Sequence, residues 1–91
     1  MFVEIHIMDS LSEILGKICE AKVKGRLWGE GKFVIDLPKG ADFLTIDQDW
    51  KITLVEAKKK YKKYTPNEDR ARKLAESIGI EYETIVCDPF E

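Results

Sequence analysis

The sequence predicts an α/β fold in which a small mixed β-sheet of about four to five strands is flanked by two helices. Short segments that alternate apolar and polar side chains indicate strands, and two segments with apolar residues three and four positions apart indicate helices. The chain has 91 residues, of which 44% are hydrophobic, so it can build one modest core. We therefore expect residues 1–91 to form a single domain.

The first half of the chain predicts strands on either side of one helix. Residues 1–8 alternate and predict an edge strand, while Ser10 and Glu13 fit a capping box that opens a helix ending near residue 22. Residues 23–28 and 33–37 then predict two strands around a glycine-rich turn.

The second half predicts a hairpin, a helix and a final strand. Asp42 opens a strand, the turn falls near residues 47–50, and a β-branched run predicts a strand over residues 52–58. Pro66 suits the first position of the last helix, and Gly79 suits its end. The strand predicted after this helix, over residues 80–87, should lie parallel to the one before it, because a long helical connection makes a crossover.

The hairpin predicts that two carboxylates and a lysine meet at one end of the sheet. Antiparallel pairing sets Asp42 opposite residue 55 or 56, and the period of two puts Glu56 and Lys58 on one face. Since Mg²⁺ takes oxygen ligands and keeps several waters, Asp42, Glu56 and the carbonyl of Ala57 make a partial shell. Lys58 is then placed to orient a water or a phosphate. The alternative is a solvated strand end, because Glu-x-Lys is a common accident in a chain that is 35% charged.

This constellation resembles the PD-(D/E)XK nuclease superfamily, in which an aspartate opens the second core strand and Glu-x-Lys closes the third. The resemblance covers residues from about 11 to 87 and is strongest to archaeal Holliday junction resolvases and small stand-alone VRR-NUC proteins. It implies a restriction-endonuclease-like core that runs helix, three strands, helix, strand. It also implies catalysis by Asp42, Glu56 and Lys58 with Mg²⁺ or Mn²⁺. A further acid is expected from the first helix: Glu13 or, if a later turn of that helix faces the site, Glu20.

The chain departs from the family pattern at two positions. The proline that normally abuts the aspartate is displaced to Pro38. The glutamine that often opens the last helix is replaced by Asn67 or Glu68.

Charge is distributed unevenly along the chain, which as a whole carries −2. Residues 56–73 contain eight basic side chains against three acidic ones, a local charge of +5 that leaves −7 elsewhere. Such asymmetry is typical of a polyanion site, although a solvated lysine-rich connector is the alternative. The residues predicted to bind nucleic acid, with tyrosines able to stack on bases, are Lys59, Lys60, Tyr61, Lys62, Lys63, Tyr64, Arg70 and Lys73.

The remaining features bear on location and assembly. Cys19 and Cys87 are far apart, lack metal-ligand spacing and lie among apolar residues, so we expect buried free thiols. We expect an intracellular, cytoplasmic protein, because neither a signal peptide nor a long apolar run is present. The scarcity of amides favours a thermophilic source. A homodimer would add buried area to so small a core.

The sequence thus predicts a magnesium-dependent deoxyribonuclease that cuts DNA selected by its branched or junction structure. Phosphate contacts carry no sequence information, which favours recognition of shape. Two alternatives from other classes are a non-catalytic nucleic-acid-binding module and a small dimeric interaction protein.

Overall fold

The computed structural model describes residues 2–38, 40–59 and 66–90, and the side chains of the first helix from residue 11 onward. Within these residues the predicted class is confirmed: the protein is a small α/β fold with two helices and a four-stranded mixed sheet. Neither helix is both long enough and apolar enough to cross a membrane. The elements in chain order are α1 (Phe2–Gly29), β1 (Phe33–Asp36), β2 (Phe43–Ile46), β3 (Ile52–Lys59), α2 (Pro66–Ser77) and β4 (Glu81–Cys87).

The sheet has the strand order β1-β2-β3-β4. The first three strands form an antiparallel meander, in which Phe43 of β2 pairs with Val55 of β3. β4 pairs with β3 in parallel, so the prediction of a parallel last strand is confirmed. β3 is therefore a central strand: β2 pairs with its residues 52–55, and β4 pairs with it from Thr53 to Lys59.

α1 is one continuous helix of 28 residues, and this corrects three predictions. The strands predicted at residues 1–8 and 23–28 are wrong, and the capping box is wrong because Ser10 and Glu13 lie inside the helix. The helix continues through residue 28 because Cys19, Val23 and Leu27 are four positions apart and bury one stripe against the sheet. Toward the N-terminus, each residue added to an existing helix gains a hydrogen bond, which favours extension over a separate strand.

Glycine ends α1 where a hairpin turn was predicted. The amide of Lys32 donates to the Leu27 carbonyl at 3.2 Å, and the amide of Gly31 donates to the Trp28 carbonyl at 3.0 Å. This is the Schellman pattern, which requires a left-handed residue, and Gly31 has φ of 80°. The glycine-rich segment is therefore a helix cap leading into β1.

α2 has the boundaries that its end signals predict. It begins at Pro66, and after it Gly79 adopts φ of 77° while the amide of Ile80 donates to the Ala75 carbonyl at 2.8 Å. Thr65, the residue type expected as an N-cap before Pro66, lies outside the described residues. Within α2 only Ala75 is fully buried, although Ala71 and Leu74 are also apolar, so α2 buries little surface against the sheet.

The core lies between α1 and one face of the sheet. Its buried members are Cys19, Val23, Leu27, Val34, Phe43, Val55, Ile85 and Cys87. The opposite face, which carries Phe33 and Ile35 of β1 and Ile52 of β3, is covered less completely, and these three side chains are 63%, 45% and 40% exposed. The two faces of the sheet thus differ: α1 covers one, and the other is partly exposed to solvent.

Cys19 and Cys87 form a disulfide, so the prediction of free thiols is wrong. Their Cα atoms are 5.6 Å apart, and the bond joins α1 to the end of β4. Both cysteines are buried in the core as expected. The sequence could not reveal the pairing, because two isolated cysteines carry no spacing signal and their contact depends on how α1 packs on the sheet.

Breaking this disulfide should strongly destabilise the fold. Cross-linking residues 68 positions apart restricts the unfolded chain, and the chain-entropy estimate for such a loop is about 4 kcal/mol. We expect reduction to lower the free energy of unfolding by that order in urea titrations followed by circular dichroism. The Cys19→Ser/Cys87→Ser protein should have the same free energy of unfolding as the reduced wild type, and reductant should not change it. Equal stability of the oxidised and reduced wild type would contradict this expectation.

Candidate functional site

The hairpin of β2 and β3 brings Asp42 and Glu56 together. Because Phe43 pairs with Val55, Asp42 lies opposite Glu56 where β2 begins. Asp42 is fixed there by the amide of Ala57, which donates to its Oδ2 atom at 2.8 Å. The Asp42 carboxylate therefore lies at the open end of the hairpin, away from the turn and directly beside the Glu56-Ala57-Lys58 segment.

Glu56 and Lys58 are buried on the sheet face that α2 crosses. They are two positions apart on β3, and only 6% and 7% of their surfaces are exposed. The Lys58 Nζ atom lies 2.6 Å from Oε2 of Glu68 in the first turn of α2, and both side chains of this ion pair are almost fully enclosed. α2 thus contributes a carboxylate that fixes the lysine.

The opposite layer contributes Glu20. This residue follows Cys19 in α1, and its carboxyl lies against Asp42 closely enough to raise the pKa of Asp42. Glu13 is exposed two helical turns earlier, and no described contact joins it to the cluster. Of the two acids that the sequence left open, the structure brings Glu20 to Asp42.

Burial and mutual repulsion raise the pKa values of two carboxyls in this cluster. The pKa of Glu56 rises to about 8, chiefly through burial and then through the charges of Asp42 and Glu68, while Lys58 opposes the rise. Burial also raises the pKa of Asp42 to about 6; the Ala57 amide opposes that rise and Glu20 adds to it. Without a cation, Glu56 is therefore mostly protonated at neutral pH, and a bound cation would favour its ionised form.

The oxygens of this cluster suit a divalent cation. The Oε2 atom of Glu56 is buried and has no hydrogen-bond partner among the described residues. Carboxylates are the protein ligands that Mg²⁺ prefers. Within the described part of the chain, no group of three or more His, Cys, Asp or Glu side chains forms a ready metal cage. Asp42 and Glu56 could supply only part of a shell, which the carbonyl of Ala57 and water would complete.

A cavity of about 740 Å³ opens directly beside Asp42, between the segment that precedes β2 and helix α2. Arg70, Asn67 and Asp42 contribute polar side chains to its lining. Its other lining residues are Leu37, Pro38, Gly40, Ala41, Ala71 and Leu74. Sequence patterns did not reveal this cavity, because it forms only when the β1–β2 connection and α2 come together.

The predicted nucleic-acid-binding residues fall into three groups. Residues 60–65, which include Lys60, Tyr61, Lys62, Lys63 and Tyr64, lie outside the described part of the chain. Lys59 reaches α1, where its Nζ atom donates to the Ser12 hydroxyl at 3.2 Å. Arg70 and Lys73 are exposed on α2, and Arg70 lines the cavity.

Gly40 sets the approach of the β1–β2 connection to α2. Its φ is 82°, and a Cβ atom placed there would lie 3.2 Å from the Cβ of Ala71. Gly40→Ala should lower the free energy of unfolding by about 1–2 kcal/mol, the cost of a left-handed residue with a side chain. Gly25→Ala is the control, because Gly25 lies inside α1 with open space around it. This substitution should instead raise the free energy of unfolding by about 0.5–1 kcal/mol. Urea unfolding of both variants measures this, and an unchanged Gly40→Ala protein would contradict it.

No family model, curated protein or solved structure matches the chain. The resemblance to the nuclease superfamily therefore rests on the residues themselves, their order and their geometry.

Proposed function

We propose that the protein is a metal-dependent endonuclease of the PD-(D/E)XK type that hydrolyses phosphodiester bonds in branched or junction DNA. The observation that carries this proposal is the Oε2 atom of Glu56, which is buried, has no hydrogen-bond partner among the described residues, and belongs to a carboxyl close enough to Asp42 and Lys58 to feel their charges. A buried polar atom without a partner is costly, and such a cost is commonly retained where a ligand completes the site. Clustered carboxyls with perturbed pKa values also mark functional sites more often than structural ones.

The Asp42 and Glu56 carboxylates and the Ala57 carbonyl would hold Mg²⁺ or Mn²⁺. When bound, such a cation supplies positive charge beside the phosphate and favours the ionised form of water. The three ligands are the groups that the β2–β3 hairpin brings to one end of the sheet. Their all-oxygen chemistry matches a hard cation rather than zinc, which favours nitrogen and sulfur ligands.

Three other residues of the cluster, Lys58, Glu68 and Glu20, position reacting groups or balance charge. The Lys58 ammonium donates hydrogen bonds, and its ion pair with Glu68 holds it in one position within a buried site. From there it is suited to orient a water or to contact a phosphate oxygen. Glu20 reinforces the negative potential at Asp42 and would increase the affinity for a cation.

The fold and the charge distribution also support this proposal. The described elements run helix, three strands, helix, strand, which is the order that the resemblance implies. The stretch of +5 in the sequence begins at Glu56. Of its basic residues, the described part of the chain places Lys59 at the end of β3 and Arg70 on α2, where they would attract a polyanion. Arg70 and Lys73 extend this basic surface along α2.

A second copy of the chain is the partner that we propose. The open sheet face displays Phe33, Ile35 and Ile52, and a two-fold contact would cover these apolar side chains. Light scattering after size exclusion should give a mass of two chains. Ile35→Lys should give one chain, whereas Leu11→Lys, an equal change at an exposed leucine of α1, should leave the dimer intact. A monomeric wild type would contradict this.

Incubation with labelled DNA tests the proposed activity. We expect Mg²⁺ or Mn²⁺ to support cleavage of a four-way junction in preference to a linear duplex of the same sequence, and EDTA to stop it. Binding without cleavage in either metal would instead favour a non-catalytic nucleic-acid module. Neither binding nor cleavage would favour a protein-interaction module.

A further inference from the structure

The cavity beside Asp42 has the size of a site for a small molecule. Its volume of about 740 Å³ lies within the range of roughly 300–1,000 Å³ that is typical of ligand pockets. A single nucleotide is a molecule of this class, whereas a base-paired duplex is much wider. The cavity also shares Asp42 with the candidate active site, so an occupant would lie next to the reacting phosphate.

The walls of the cavity present an apolar surface to solvent. Leu37, Pro38 and Ala41 line one side. Leu74 lines the other side from the second half of α2 and remains 61% exposed. The flat faces of a nucleobase are apolar and gain free energy when they pack on such a surface.

Two polar side chains complete the cavity. Arg70 presents a planar guanidinium, which can pair with a phosphate or stack on a base, and no ion pair within the described residues involves it. Asn67 presents both a hydrogen-bond donor and an acceptor, the combination that can pair with a base edge. Apolar walls with one cation and one amide, and with the Asp42 carboxylate at the side that adjoins the candidate active site, match the chemistry of a nucleotide whose phosphate lies toward a cation at Asp42.

We propose that this cavity binds one unpaired nucleotide that adjoins the scissile phosphate. The inference rests on the proposed nuclease function and specifies its substrate: a strand that is single-stranded at the cut. A base inside a duplex is stacked on both faces and paired along its edge, so it cannot enter without leaving the helix. Branch points, flaps and overhangs supply a nucleotide that is already free.

Binding in EDTA separates this inference from catalysis. Fluorescence anisotropy compares a labelled oligothymidine with a blunt duplex of equal length. We expect the single strand to bind at least about 10-fold more tightly, because base stacking contributes strongly to single-strand affinity. Leu74→Asn should remove most of that preference. The matched control is Ile78→Asn, one turn later and just beyond the end of α2, where an isoleucine of similar exposure does not line the cavity.

A second pair of variants separates the cavity from general attraction to charge. Arg70→Gln and Arg72→Gln each remove one positive charge from α2, but only Arg70 lines the cavity. We expect Arg70→Gln to weaken single-strand binding about 10-fold and Arg72→Gln to change it little. Equal losses in both variants would show that only net charge matters, and would overturn the inference.

Three further results have distinct meanings. Cleavage of blunt duplex as fast as overhang DNA, unaffected by Leu74→Asn, would overturn the inference and leave the nuclease assignment intact. Single-strand preference that depends on Leu74, without cleavage in Mg²⁺ or Mn²⁺, would keep the nucleotide site and refute the nuclease. A change in the mass of the assembly on Leu74→Asn would identify the cavity as a contact between copies of the chain, and would also overturn the inference.

Discussion

Neutral isosteres of the two strand carboxylates should abolish cleavage. We expect Asp42→Asn and Glu56→Gln each to lower the rate of Mg²⁺-dependent hydrolysis at least about 100-fold, as is usual when a positioned electrostatic group is lost. Each amide keeps the size of the side chain it replaces but cannot supply a charged ligand to the cation. Rates measured on labelled junction DNA under single-turnover conditions would report the chemical step directly.

Asp36→Asn is the matched control for this experiment. Asp36 is also an aspartate at a strand end, but it is exposed and pairs with Lys24 at 2.8 Å, and no described side-chain contact joins it to Asp42 or Glu56. Its replacement should leave cleavage within about twofold, since exposed ion pairs contribute little. Activity retained by Asp42→Asn, or lost equally in Asp36→Asn, would contradict the assignment of the site.

Lys58 requires a different design, because it is buried and paired. Lys58→Ala alone would leave Glu68 enclosed without its cation, a change that destabilises proteins substantially. The Lys58→Met/Glu68→Met protein removes both charges together and should fold better than Lys58→Met alone. It should nevertheless remain inactive on junction DNA, because no group is left to orient the water or phosphate.

The stability of the metal-free protein should fall as the pH rises from about 4 to about 8. The pKa of Glu56 in the folded state is about 8, well above its ordinary value near 4.5, so over this interval the folded state binds more protons than the unfolded state. Stability falls with pH wherever that holds. Asp42, with a pKa of about 6, adds to the fall at the acidic end of the interval. The combined loss should be a few kcal/mol.

Glu56→Gln isolates this effect. In EDTA at pH 8 the variant should be more stable than the wild type, and its melting temperature should depend less on pH. Mn²⁺ should stabilise the wild type at pH 8 but not the variant, because a ligand that binds only the folded state raises stability and also displaces the Glu56 proton. Glu76→Gln, at an exposed glutamate of α2, is the control and should leave the pH profile unchanged. A wild type whose melting temperature is constant over this pH range would contradict the cluster geometry.

Local signals predicted α2 and the β2–β3 hairpin well. Pro66 and Gly79 act through backbone geometry within a few residues, so their effect does not depend on the rest of the fold. The first helix could not be predicted in the same way. Residues 23–28 are compatible with a strand, and the burial of Val23 and Leu27 against the sheet decides for helix; this long-range packing cannot be seen in a short window.

The sequence likewise predicted one part of the candidate site, the part within the hairpin, better than the part contributed by the helices. Asp42 and Glu56 meet because hairpin register follows from the sequence between them. Glu20 and Glu68 reach the cluster from two different layers, so their positions depend on how α1 and α2 are docked. The disulfide between Cys19 and Cys87 depends on that docking as well, and it anchors α1 immediately beside Glu20.

Titration of the metal-free protein with Mn²⁺ at pH 8, followed by electron paramagnetic resonance, tests the central claim most directly. If Asp42 and Glu56 hold the cation, we expect one bound Mn²⁺ per chain in the wild type and in Asp36→Asn. We expect Asp42→Asn and Glu56→Gln to remain folded but to lose that bound ion. An equal amount of bound Mn²⁺ in all four proteins, or none in the wild type at millimolar metal, would contradict the claim that these two carboxylates hold a divalent cation.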